Sequence, residues 1–222
     1  MVGSYAAIRV AIADDHAVFR TSLRQLLAGT EDIRVVAEFG DAKALLSGGN
    51  CLNLDVLILG LNMPGSDPIE IVAWMQKNYP SVVVVVLTAF DEDKYLGVIE
   101  GSGAAGFLLK ANSSDGLIAA LRRVAEGETI WTQEQRARAR GWREEVESRW
   151  LNLTVREREM ARLAARGLGT KQMADTLQIT LRTVEYHMGN VLAKLGVSSR
   201  PAAVAWIRDN LPEQWWRDLK TR

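Results

Sequence analysis

Over roughly the first 127 residues, short apolar runs alternate with stretches whose apolar positions recur every three or four residues. Runs at 8–13, 34–39, 56–59, 82–87 and 106–109 are rich in Val, Ile and Leu. They predict strands buried in a parallel sheet. Helical spacing appears at 17–28 (Val18, Leu23, Leu26, Leu27), 42–46, 69–78, 93–100 and 114–126. The third of these stops before Pro80, and Ser113 or Ser114 is suited to cap the last. Five strands alternating with five helices predict a doubly wound α/β domain with its ligand crevice at the carboxyl ends of the strands.

From about residue 150 only the helical period remains. Thr154 and Glu157 form a capping-box pattern ahead of Met160, Leu163 and Ala164, and Gly167 and Gly169 end that helix. Thr170 is placed to cap a short helix at 171–177, and Thr180 a longer one at 181–195 that Gly196 stops. Pro201 lies near the start of a last helix at 202–208. A short helix, a brief turn and a second helix make a helix-turn-helix pattern. Between the halves, 133–149 is rich in Arg and Glu, with Trp142 and Val146 four apart. Two readings are open there, a helix that packs Trp142 on one domain and a solvated helix. The end of the chain carries Trp215 and Trp216, which either dock on another surface or cover the last helix of their own domain.

Composition agrees with two modest soluble domains: 222 residues, 48% of them hydrophobic. The longest apolar run, Val82 to Leu87, is far short of the roughly 20 residues that cross a bilayer. The first residues lack the basic stretch and apolar segment of a signal peptide, and the one cysteine, Cys51, has no partner for an internal disulfide. A cytoplasmic protein with Cys51 as a small hydrophobe is expected. The formal charge of zero is divided: −6 over 1–132, +1 over 133–149 and +5 over 150–222. A basic back half suits a polyanionic partner.

Polar chemistry sits at the predicted strand ends. Asp14 and Asp15 follow the first strand, Gly60 the third, Thr88 ends the fourth and Lys110 follows the fifth. Paired carboxylates suit a hard cation such as Mg²⁺, and a lysine with a hydroxyl suits a phosphoryl group. The plainer reading has Asp14 and Asp15 capping the next helix.

The motifs IADDH, LNMPG, LTAF and GFLLK occur in order over residues 5–127, which resemble the receiver domain of response regulators, a flavodoxin-like fold of five parallel strands. The resemblance implies that Asp14 and Asp15 are the acidic, Mg²⁺-binding pair. It makes Thr88 the switch hydroxyl, Phe107 the aromatic switch position and Lys110 the phosphate-facing lysine. Two residues depart from it. Gly60 stands where receivers carry the phospho-acceptor aspartate, and Ala111 stands where a proline often follows the lysine. Glycine offers no nucleophile, so no catalytic residue is expected, and the chain is read as a non-enzyme. The Mg²⁺ site is reduced to Asp14, Asp15 and the Asn62 carbonyl, and a cognate kinase is in doubt. Whether Gly60 is natural or engineered stays open.

The text LTVREREMARLAARGLGTKQMADTLQITLRTVEYHMGNVLAKLGVSSR resembles a LuxR-type DNA-binding domain, and the whole chain resembles the NarL/FixJ class. Double-stranded DNA as partner, a homodimer and a helix-turn-helix whose second helix enters the major groove are what the resemblance implies. Val184, Met188, Val191 and Leu195 follow i, i+4, i+7, i+11 and should face the core, with His187 beside them. Arg182, Glu185, Tyr186, Gly189 and Asn190 are the candidates for base edges; Thr170, Lys171, Gln172, Lys194 and Arg200 are candidates for phosphates, and Thr183 is counted with them in the DNA-binding site. Positions 185 and 189 carry no cation here, although the first is often lysine in the family, so weak non-specific affinity is expected. Glu185 either accepts from a cytosine amino group or is merely solvated. The expected organisation is a receiver at 5–127, a linker at 128–149, a DNA-binding domain at 150–210 and a tail at 211–222. The expected function is transcription regulation independent of aspartyl phosphorylation. The alternative is a protein-interaction or small-molecule-sensing module for which DNA contact is secondary.

Overall fold

The computed structural model describes residues 7–47 and 53–217, so Cys51 lies outside the described residues. The chain divides between Arg138 and Ala139 into two compact units. In the first, β1 (Ile8–Ala13), β2 (Ile33–Phe39), β3 (Val56–Leu59), β4 (Val83–Thr88) and β5 (Gly106–Leu109) form one sheet in the order β2-β1-β3-β4-β5. All four pairings are parallel. Helices α1 (Ala17–Ala28), α2 (Ala42–Leu46), α3 (Pro68–Asn78) and α4 (Asp93–Ser102) connect them, and α5 (Ser114–Ala125) follows β5.

A parallel strand has no face left for water, and the central strands read accordingly. One set of alternating residues, Val10, Ile12, Val56, Ile58, Val85 and Leu87, is buried with Leu23 and Leu27 of α1 and Leu117, Leu121 and Val124 of α5. Residues of opposite parity, such as Ala11, Leu57, Leu59 and Val86, are also buried and point to the other face. Side-chain caps start the helices where turn chemistry allows: Asp41 accepts from Ala44 N–H, Asp67 from Ile69 N–H, and Ser113 from Gly116 N–H. Ser113 is thus the cap of α5. The observed β4 begins and ends one residue later than the expected run, which brings Thr88 into the strand.

The segment after α5 lies along the edge strand. Ile130 N–H donates to the Ala105 carbonyl at 2.8 Å. The Ile130 side chain fills the space where a Cβ on Gly106 would stand, only 2.0 Å from its Cγ1. Helix α6 (Gln133–Trp142) follows and continues through a π-helical turn, Arg143–Glu147, into α7 (Ser148–Leu151).

The second unit is helical: α8 (Val155–Ala165), α9 (Thr170–Leu177), α10 (Leu181–Leu195), α11 (Arg200–Asn210) and the short α12 (Gln214–Arg217). The capping box forms as expected. Thr154 Oγ1 accepts from Glu157 N–H, and Glu157 Oε2 accepts from Thr154 N–H at 2.8 Å. At α9 the local chemistry differs from the expectation: Gly169 is the cap residue, its N–H donates to Gln172 Oε1 at 2.8 Å, and Thr170 is the first helical residue.

The two open questions about tryptophans resolve within this unit. Trp142 is buried, its Nε1–H donates to the Asn210 carbonyl at 2.9 Å, and its ring meets Trp215 edge-on at 5.7 Å. Arg162 Nε–H donates to the Trp215 carbonyl, and the Arg208 guanidinium lies 5.7 Å from the Trp216 ring centroid. Trp215 and Trp216 thus pack on their own domain.

Candidate functional site: a carboxylate pocket and a nucleic-acid interface

The sheet topology brings the predicted strand-end residues together. Asp14, 3% exposed, follows β1. Its Oδ1 accepts from His16 N–H at 2.9 Å, and its Oδ2 meets Lys110 Nζ at 2.5 Å. The Lys110 ammonium also lies 3.9 Å from the Phe19 ring centroid. Gly60 directly follows β3, and its N–H donates to the Ala13 carbonyl at 2.7 Å. A Cβ placed on Gly60 would stand 2.7 Å from Asp14 Oδ2. The Asp14 carboxylate therefore lies against the space that any side chain at residue 60 would need. Lys110 and Asp14 neutralise each other there in a charge-assisted contact.

The other candidates have definite partners. Asp15 is exposed and pairs with His16 Nδ1 at 2.7 Å. Asp14, Asp15 and His16 each offer a ligand atom, all within 4.8 Å of one another. His16 and Arg20, which donates to the Asp14 carbonyl, were not among the sequence candidates. The histidine directly after the acidic pair was the available signal for the first. Thr88 is 2% exposed and its Oγ1 accepts from Phe90 N–H at 3.1 Å. Phe107 is buried and stacks on Trp131 at 6.1 Å, while its carbonyl accepts from Gln135 Nε2 at 2.9 Å. Two oxygen-bearing residues side by side fit a divalent cation, yet Asp14 would have to exchange Lys110 for the ion.

In the helical unit α9 and α10 are joined by Gln178, Ile179 and Thr180, with Gln178 in the left-handed region at φ 53°. That conformation turns the chain between the two helices. Val184, Met188, Val191 and Leu195 are buried, as their spacing predicts. Arg182, Glu185, Tyr186 and Gly189 are exposed on the opposite side, Tyr186 at 67%. Asn190 and Thr183 are half-buried, and Thr183 Oγ1 lies 2.9 Å from Thr180 Oγ1 in the cap of α10. The His187 ring is half-buried beside Tyr186.

The phosphate candidates separate into two kinds. Lys171 and Gln172 are exposed at the start of α9. Lys194 and Arg200 instead turn to partners inside the domain. Lys194 Nζ contacts Glu157 Oε2 at 2.6 Å. Arg200 donates to Thr170 Oγ1 at 3.2 Å, which also engages Thr170, and to the Leu168 carbonyl. Burial raises the Glu157 carboxyl pKa, but the Lys194 ammonium and the Thr154 hydrogen bonds outweigh it and hold the group below its ordinary value.

Residues 10–122 match the response regulator receiver domain, and residues 151–207 match the luxR family of bacterial regulatory proteins. The response regulator protein VraR of Staphylococcus epidermidis is 32% identical over 200 residues, 90% of this chain and 96% of that one. VraR of Staphylococcus aureus is 30% identical over 199 residues, 90% and 95% of the two chains. Among solved structures, RcsB of Salmonella enterica serovar Typhimurium, bound to a promoter in the presence of the phosphomimetic BeF₃⁻, is 28% identical. It covers 90% of this chain and 97% of that chain with a TM-score of 0.62. The pocket at the strand ends and the helix-turn-helix thus occur in the order these proteins share, and the chain belongs to the DNA-binding response regulators that join a receiver domain to a luxR-family domain.

Proposed function

We propose that this chain is a transcription regulator that binds DNA as a dimer through α10 and does so without aspartyl phosphorylation. The single observation that carries the reading is Gly60: no carboxylate is present where the receiver chemistry needs one, and the Asp14 carboxylate, paired with Lys110, abuts the space. Thr88 and Phe107 support it, since each is tied to a neighbour that needs no phosphoryl group. RcsB bound to promoter DNA supports the choice of duplex DNA as ligand. In this reading Asp14 and Asp15 hold Mg²⁺ only weakly, the receiver spans 5–127, and the DNA-binding domain takes in the linker's Trp142 as well as 150–210 and the tail.

A small-molecule-sensing receiver is the second reading. An open surface depression near the start of β4 and β5, lined by Glu100, Trp131 and Arg136 among others, is where such a ligand would sit.

The test is incubation of the full chain with Mg²⁺ and acetyl phosphate, followed by intact mass and DNA affinity. No mass gain and equal affinity with and without the donor are expected. A stoichiometric phosphoryl adduct, or DNA binding that rises only with the donor, overturns the reading.

A further inference from the structure

Helix α10 presents Arg182, Glu185, Tyr186 and Gly189 on one exposed face, at i, i+3, i+4 and i+7. The Glu185 side chain makes no ion pair or hydrogen bond with any described residue, nor does that of Arg182 beside it. Lys194 and Arg200 already have partners in the domain, so Arg182, one turn away on the same face and without an ion pair to Glu185, is the nearest cation in sequence on α10. The face that would enter a groove therefore carries a carboxylate that no ion pair occupies.

Such a group is costly against DNA unless it receives a hydrogen bond. The duplex carries one phosphate charge per about 1.7 Å of axis, and the carboxylate has only acceptor oxygens. In the major groove, donors are confined to two amino groups, cytosine N4 and adenine N6. Guanine offers N7 and O6, and thymine offers O4, all acceptors that repel a carboxylate. Adenine N6 lies beside the acceptor N7, which faces the second carboxylate oxygen. Cytosine N4 has the O6 of its paired guanine on one side but only the C5–H edge of its own ring on the other, so a carboxylate tilted toward that edge meets no acceptor with its second oxygen.

The second observation concerns distance. A glutamate side chain is shorter than an arginine or lysine, so its helix must come closer to the bases. Gly189 lies one turn further along the same face, and a Cβ there would meet nothing within 4 Å. No contact inside the protein requires glycine at this position, and glycine in a helix interior is unfavourable relative to alanine. Its absent side chain leaves room for the groove wall.

We infer that Glu185 is a specificity-determining residue of the DNA site, selecting a cytosine whose N4 amino group faces α10, and that Gly189 sets the depth at which it does so. This rests on the reading that α10 is the groove-facing helix.

The experiment is selection of bound duplexes from a random pool by the full-length chain and its variants, with sequencing of the enriched sites. The native chain should enrich a C·G pair at one position in each half-site. Glu185→Ala should lose the preference at that position alone, keep the rest of the motif and bind random duplex several-fold more tightly. Glu185→Gln should shift the position toward adenine, whose N6 and N7 match an amide. Gly189→Ala should fold at least as stably and lose several-fold in affinity for the enriched site. If Glu185→Ala retains the native motif at every position, the inference falls while DNA binding through α10 stands. If the native chain enriches no sequence, both fall.

Discussion

The two candidate sites treat charge in opposite ways. In the strand-end pocket, Asp14 and Lys110 face inward and satisfy each other within 2.5 Å. On α10, the side chains of Arg182 and Glu185 are exposed and have no partner among the described residues, although in the same domain Lys194 pairs with Glu157 and Arg200 with Thr170. A charge already matched within the chain supports structure. A charge left unmatched keeps its capacity for a ligand. Residue type alone does not distinguish the two; the position of the nearest counter-charge does.

The sharpest way to break this comparison is to remove one member of the inward pair. Asp14→Ala leaves the Lys110 ammonium without its carboxylate in a site where its side chain is only 20% exposed. A loss of about 3 kcal/mol is expected in denaturant unfolding of the full chain followed at the first unit. A change under 0.5 kcal/mol would mean that the pair contributes no net stability.

The second unit offers an equivalent with a pH signature. Glu157 is buried and its pKa is depressed, so the folded state favours its ionised form. The stability it contributes is fully present above the ordinary carboxyl value of about 4.3 and is lost as pH falls through the lower folded value. Glu157→Gln should cost about 2 kcal/mol at neutral pH. It should also flatten the acid limb of a Tm-versus-pH profile below about pH 5. An acid limb identical to that of the native chain would remove Glu157 as its source.

For the outward charges the readout is DNA. Arg182→Ala should reduce discrimination between preferred and random duplex by about 1–2 kcal/mol. Lys171→Ala should weaken all sequences alike and lower the salt slope by about 1. Both are measured by fluorescence anisotropy across a salt series. The smallest effect is expected at Gly60→Ala. The new Cβ would stand 2.7 Å from Asp14 Oδ2, a movable side-chain oxygen, so a cost of about 1 kcal/mol is expected. A gain in stability would show that Asp14 leaves the space without strain.

Much of this architecture is legible in the chain itself. Runs such as 56–59 and 82–87 are apolar at every position because central parallel strands are buried on both faces, and that pattern survives without any knowledge of contacts. The strand-end candidates converge because parallel strands share one carboxyl edge, so Asp14, Gly60, Thr88 and Lys110 meet at a single crevice. The buried stripe of α10 follows from spacing in the same way. Long-range pairing was not legible. Lys194 meets a glutamate 37 residues away, Arg200 meets a carbonyl 32 residues away, and Trp142 meets a carbonyl 68 residues away. Helical periodicity places each of these residues on a face without naming its partner. The orientation of Asp14 was hidden for another reason: it depends on the absence of a side chain at residue 60.

The luxR-family match covers 151–207, whereas the folded helical unit also includes Trp142 and the helix of Trp215 and Trp216. The stretch that defines kinship is therefore shorter than the compact unit that contains it. Transplanting 151–207 behind another receiver would move α10 without the indole cover of its domain. For this chain, a transplant that keeps Trp142 with its partners is cut upstream of residue 139, inside α6.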